Sequence, residues 1–246
     1  MSGPAGAEPG AVARAIQDLR TSGLEVGELR SAVQAVVDAT STVFGADGGG
    51  VMLLDDQQAL HYVGATDGRA AAMEAAQEET GEGPCVDSLV NDETVSTEDL
   101  REDPRWPELR RQIGELGVRA ILGVPLHVGP TAVGSLNVYR FTPGPWSPGD
   151  VEAIAAFGRV VEELLATAML AEERHVIVEQ LTSALQNRVL IERAVGFVMA
   201  TLDLDPVRAF DALRRSARAR RIRVADLAAE VVEARSFDPA TGPSVP

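Results

Sequence analysis

Five arginines crowd into nine positions, LRRSARARR from Leu213 to Arg221, in a chain whose formal net charge is −15. Arginine stays charged at any physiological pH, and its planar fork can give paired hydrogen bonds to a phosphate. Such a run is the electrostatic footprint of nucleic-acid binding, or else a solvated helix face paired with nearby acids. Charge alone leaves both readings open. The other side chains capable of chemistry are sparse. Cys85 is the single cysteine; a redox thiol there has no resolving partner, so a small apolar residue beside a pocket is expected. His61, His127 and His175 lie far apart, none at ligand spacing from a cysteine or an acid, and no metal site or cofactor is expected. Trp106, set in DPRWP, reads as a structural plug more readily than as a stacking platform. The acid-rich run NDETVSTEDLREDP reads as a solvated face, and no nucleophile–base pair is legible, so no enzyme is expected.

The elements that must position these residues divide into two regions. Residues 1–180 hold 12 Arg against 29 acids, whereas residues 181–235 hold 10 Arg against 7. Glycine and proline thin out at the same point, as at a domain boundary. In the first region, Val26, Leu29, Val33, Val36, Val37 and Val43 recur at helical spacing. VMLL and LHYV flank DDQQ as a hairpin, and RAILGVPLHV and TAVGSLNVYR flank a Gly129–Pro130 turn as a second, which implies an antiparallel sheet. Between the hairpins, an alanine-rich helix precedes an irregular stretch from Gly81 to about Pro107. Ser147, Pro148 and Asp150 have the pattern of a capping box opening a helix. From there Ile154, Phe157, Val161, Leu164, Ala168, Ala171, His175, Val178, Thr182 and Leu185 alternate steps of three and four, as in a coiled-coil seam. Phe157, Val161, Leu164 and Leu185 are its strongest dimer positions. The same pattern also suits a helix lying on its own sheet, which is the better reading up to Leu164.

Residues 181–235 read as three helices, the second restarted by Asp205 as N-cap and Pro206 at the first helical position. On that second helix Phe210, Leu213 and Ala217 share a core side. Arg208, Arg215 and Arg218 share the opposite side, with Arg214 and Arg221 at its margin. Gly196 sits inside the first helix, where glycine costs about 1 kcal/mol relative to alanine. Close approach of another helix is the expected reason.

The run RVLIERAVGFVMATLDLDPVRAFDALRRSARARRIRVADLAAEVV resembles an ANTAR domain, a bacterial RNA-binding antiterminator module. The matching residues are Arg188, Ile191, Glu192, Ala194, Gly196 and Met199, then Ala209, Phe210, Leu213 and Arg214, then Ile222, Val224, Ala225 and Val231. The upstream segments GEGPC, DPRWP, GVRAILGVPL and VGSLNVY resemble a GAF domain of the kind fused to ANTAR in actinobacteria. The resemblance implies an α+β, PAS-like GAF domain with an antiparallel sheet flanked by helices. A long helical connector would join it to an all-α three-helix ANTAR domain. The expected layout is a flexible start over 1–20, a GAF sensor with connector helix over 21–170, connector end and ANTAR over 171–235, and a disordered tail over 236–246. The implied function is antitermination by binding paired stem-loops of nascent mRNA, under GAF control, in a cytoplasmic homodimer without membrane attachment. Arg188, Arg208, Arg214, Arg215, Arg218 and Arg221 are the expected RNA contacts. Cys85, Trp106, Asn137 and Tyr139 are the expected lining of a pocket for a small molecule of unknown identity. The alternative is a GAF-based small-molecule or redox sensor whose C-terminal helices bind a protein partner. The opening, MSGPAGAEPGAVAR, lacks the basic and apolar parts of a secretory leader.

Overall fold

The computed structural model describes residues 7–21, 29–55, 58–113, 116–170 and 176–238. The main division between two compact units falls after Val178. In the first unit the order is α1 (Pro9–Thr21), α2 (Leu29–Phe44), β1 (Gly48–Leu54), β2 (Leu60–Ala65), α3 (Gly68–Thr80), α4 (Pro84–Asn91), β3 (Val95–Thr97), α5 (Pro107–Gln112), β4 (Ala120–Val128), β5 (Thr131–Arg140) and α6 (Pro148–Leu170). The strands form one sheet in the order β2-β1-β5-β4-β3. Within it β5 pairs antiparallel with both β1 and β4.

Strand alternation sends successive side chains to opposite faces of this sheet. Val124 and Leu126 face α6, where a Cβ on Gly158 would meet both. Val138 faces α2, beside Ser41. The odd-numbered positions Ile121, Tyr139 and Asn137 face the other way, under α3, α4 and α5. Each expected hairpin is present. The capping box is also formed: Ser147 N and Oγ donate to Asp150 Oδ2, and Asp150 N donates back to Ser147 Oγ.

Three expectations change here. The stretch expected to be a flexible start supplies α1, which buries Val12 and Leu19 and packs on α2 and α6. The stretch from Gly81 to Pro107, expected to be irregular, contains α4 and β3. Pro84 at the permitted first turn opens α4, and Asp92 in the left-handed region closes it, signals too short to show as periodicity. The dimer seam is also corrected. Phe157 and Val161 are fully buried in the first unit's own core, so they are not available to a second chain. Leu164 and Leu185 are half-buried. The seam positions Ala171 and His175 lie outside the described residues.

The second unit is built from α7 (Val176–Leu202), α8 (Pro206–Arg220) and α9 (Val224–Ala234). Asp205 caps α8 as expected, accepting from Arg208 N at 2.9 Å. Ile191, Ala194 and Val198 of α7, Phe210, Leu213 and Ala217 of α8, and Leu227, Ala228 and Val231 of α9 are buried. Phe237, expected from the sequence to lie in a disordered tail, is buried as well.

Candidate functional site

Strand register creates an unusual floor in the first unit. Asn137 of β5 is opposed by Gly50 on one side and Gly123 on the other. Neither glycine can be filled without collision: a Cβ on Gly50 would lie 2.7 Å from Glu74 Oε1, and one on Gly123 would lie 2.6 Å from Asn137 Oδ1. Over this bare row α3 lowers Glu74 and Gln77, and α4 lowers Cys85. Asn137 Nδ2 donates to Glu74 Oε1 at 3.3 Å, and Ser135 Oγ donates to Asn137 Oδ1 at 2.8 Å. Gln77 Nε2 lies 3.0 Å from Glu74 Oε2 and 2.6 Å from Cys85 Sγ. The thiol reaches Glu74 Oε2 at 3.2 Å, and Cys85 N donates to Gln77 Oε1 at 3.0 Å.

Glu74 is thus a buried carboxyl held by three neutral donors, with no cation paired to it among the described residues. Burial raises its pKa to about 7, against the opposing pull of the hydrogen bonds from Cys85, Asn137 and Gln77. Burial, with the neighbouring Glu74 charge, likewise pushes the Cys85 thiol well above its ordinary range. The thiolate is the reactive form, so this environment suppresses nucleophilic and redox chemistry at Cys85.

The four residues expected to line a pocket are all buried on this face, in two groups. Cys85 and Asn137 belong to the polar network. Trp106 and Tyr139 belong to the adjoining apolar cluster with Met73, Leu109 and Ile121. Trp106 is plugged in place, its Nε1 donating to Asp87 Oδ2 at 3.0 Å and the Arg105 guanidinium 4.1 Å above its ring. Sequence reasoning missed Glu74, Gln77 and Ser135. Glu74 and Gln77 looked like ordinary polar positions in an alanine-rich helix. The one available signal was glycine at two strand positions, Gly50 and Gly123, which marks close approach of another group.

His127 was also passed over. A register shift in β4 between Leu126 and His127 turns its ring toward two helices. Nδ1 lies 2.9 Å from Glu162 Oε1 of α6, and Nε2 lies 2.7 Å from Asp92 Oδ1 at the end of α4. Burial opposes the charged imidazole, but the hydrogen bonds to Glu162 and Asp92, together with their charges, outweigh it and raise the pKa above 6.5. A raised histidine pKa contributes stability that is complete below the unfolded value and is lost as pH rises through the folded one. His127→Gln is therefore expected to narrow its stability deficit against the wild type as pH rises above 6.5. Thermal unfolding across a pH series checks this, and a pH-independent deficit counts against it. Among the described residues no group of three His, Cys, Asp or Glu side chains is placed to hold a metal ion.

The arginines of the second unit separate by partner. Arg214 is corrected: it is not on the solvent face but buried, its guanidinium 5.6 Å over the Phe210 ring. It follows Phe210 by one helical turn, so its long stem runs along that core residue and lays the guanidinium over the ring. Arg188 is mostly covered and held by Glu192 at 2.7 Å. Arg208 and Arg215 are exposed, with Asp205 at 3.5 Å and Asp211 at 3.0 Å. Arg220 reaches Glu230 at 2.7 Å. Arg218 and Arg221 are exposed and form no ion pair with a described residue. Gly196 is also corrected. It lies on the exposed side of α7, and a Cβ there would meet nothing within 4 Å. Close packing of a described helix does not account for it.

Residues 28–165 match the GAF domain family, and residues 179–232 match the ANTAR domain family. No curated protein sequence matches the chain. Among solved structures, the GAF domain of a phosphoenolpyruvate-protein phosphotransferase from Coxiella burnetii is 15% identical with a TM-score of 0.54, covering 66% of this chain and 95% of its own. The corresponding domain from Acinetobacter is 16% identical with a TM-score of 0.52 and the same two coverages. A free methionine-R-sulfoxide reductase from Neisseria meningitidis is 14% identical with a TM-score of 0.53, covering 70% of this chain and all of its own. At these identities the likeness is one of fold. GAF and ANTAR are regulatory domain types, for signal sensing and RNA-binding regulation respectively. Among the described residues no helix is long and apolar enough to cross a membrane. With its antiparallel sheet, its helical layers and a match spanning more than half its length, the chain belongs to the GAF domain family, and it carries an ANTAR domain C-terminal to the GAF domain.

Proposed function

We propose that the chain is a bacterial transcription antitermination regulator, of actinobacterial type, that acts in the cytoplasm as a homodimer and is not an enzyme. Its ANTAR domain binds paired stem-loops of nascent mRNA, and its GAF domain sets when it does so. The observation that carries this reading is the set of exposed arginines on α8 and at its C-cap, Arg208, Arg215, Arg218 and Arg221, on a unit that matches an RNA-binding domain family. Arginines of this kind hold phosphates, while unpaired loop bases provide sequence readout. Two copies would present two such faces, so that one tethered RNA engages both with added avidity. Phe157 and Val161 take no part in the dimer contact. The closed polar interior under α3 and α4 supports a GAF domain whose signal must first open that layer.

Arg218→Gln with Arg221→Gln tests the RNA contact. Glutamine keeps the side-chain length, and at Arg221, where φ is 56°, it meets the same backbone penalty as arginine. The expected result is an unchanged melting temperature with weaker RNA binding. The dependence of log affinity on log salt should flatten by about 0.7 per arginine. A wild-type chain whose salt-dependent RNA binding is absent, but which captures a protein partner through α7–α9, would instead favour the alternative sensor reading.

A further inference from the structure

The surface of α7 poses a question that the arginine run does not answer. Gln186, Val189, Arg193, Gly196 and Ala200 follow one another at helical spacing on one side, and all are exposed. Val189, an apolar residue, is 59% exposed. Arg193 forms no ion pair with a described residue, whereas the neighbouring acid Glu192 is already engaged by Arg188. Three residues beyond Arg193, Gly196 breaks the rule for a helix interior without any contact in the described chain that demands it. A glycine in a helix is useful where another molecule must reach the backbone itself. The partner that suits an unpaired guanidinium beside that bare patch is anionic, and residues 181–235 carry 10 Arg against 7 acids.

We infer that Arg193 and Gly196 form a seat for the RNA sugar–phosphate backbone, separate from the arginines of α8 and resting on the RNA reading above. Arg193 grips a phosphate with its fork. Gly196 lets the ribose chain lie against the helix, and Val189 supplies an apolar edge for a ribose or base. The lack of a side chain is the recognition feature, so adding one is the informative change.

The test uses the full chain and an RNA selected by the wild-type protein from a pool of random-loop hairpins. Gly196→Ala is expected to raise the melting temperature, since alanine favours the helix and has open space. Its RNA affinity should nevertheless fall severalfold with an unchanged salt slope, and Gly196→Leu should fall further. Arg193→Gln should lose affinity and flatten the slope by about 0.7. Full affinity in Gly196→Ala and Arg193→Gln, with the wild type binding in a salt-dependent way, overturns the seat and leaves the RNA reading standing. If Gly196→Ala instead changes only the sedimentation of the RNA-free protein, the face belongs to a second copy and the seat is overturned. A wild-type chain that enriches no RNA removes both.

Discussion

Glu74→Gln is expected to abolish a loss of about 3 kcal/mol in the stability of the GAF domain between pH 4.5 and pH 8. The native carboxyl titrates at about 7 rather than 4.5, and each tenfold change in proton affinity corresponds to about 1.4 kcal/mol. Below pH 4.5 the folded and unfolded chains both hold the proton, and this group adds no pH dependence. Between 4.5 and 7 the folded form retains a proton that the unfolded form has released, so stability falls as pH rises. Above 7 the buried carboxylate is ionised and the loss is complete. Glutamine removes the titration, although its amide must share a niche lined by the donors of Gln77 and Asn137. The difference between the two proteins should therefore slope through that pH window and level off on either side. Tryptophan fluorescence is the probe, because both tryptophans of the chain, Trp106 and Trp146, lie in the GAF domain. Parallel wild-type and mutant curves would show that Glu74 holds its proton no more tightly in the folded chain than in the unfolded one, and the polar interior would need another account.

Phe210→Ala should have the second large effect, confined to the other unit. The ring is 4% exposed, beside Leu213 and Ala217, and the Arg214 guanidinium lies over it. Truncation leaves a cavity and an arginine without its aromatic surface, costing roughly 3–5 kcal/mol. A helical unit of this size has a total stability of only a few kcal/mol. Amide exchange in α7–α9 should accelerate to near the unfolded rate while the tryptophan signal stays native. RNA binding should vanish with the fold, in contrast to Arg218→Gln, which weakens binding in a folded domain. Protected amides in Phe210→Ala would place the core of the unit elsewhere.

The two cases mark how far one-dimensional pattern carries. Both hairpins and most of the helices, though not α1 and α4, were legible because their signals are local: apolar residues at steps of three and four, Gly129–Pro130 at a turn, Ser147 and Asp150 at a cap. The capping box forms within four residues, so no distant part of the chain has to agree to it. The same holds for Asp205 and Pro206 at the start of α8. Charge segregation and family motifs then separated the GAF region from the ANTAR region.

What the pattern could not settle is any property that depends on which surface covers which. Phe157 and Val161 have a periodicity that suits both a two-chain seam and a helix on a sheet; the sheet is the better reading up to Leu164, and only the buried contact beneath α6 removes the seam there. Arg214 was expected at the margin of the exposed face, but it follows Phe210 by one helical turn, and its stem packs along that ring rather than reaching into solvent. Glu74 and Asn137 are 63 residues apart, and His127 is 35 from each of its two carboxylates. Spacing carries no trace of such meetings, because strand register and helix docking create them only in the folded chain. The same is true of Gly196, whose type was visible in the sequence. Only the tertiary structure showed that a side chain there would meet open space, which removes packing against a described helix as its explanation.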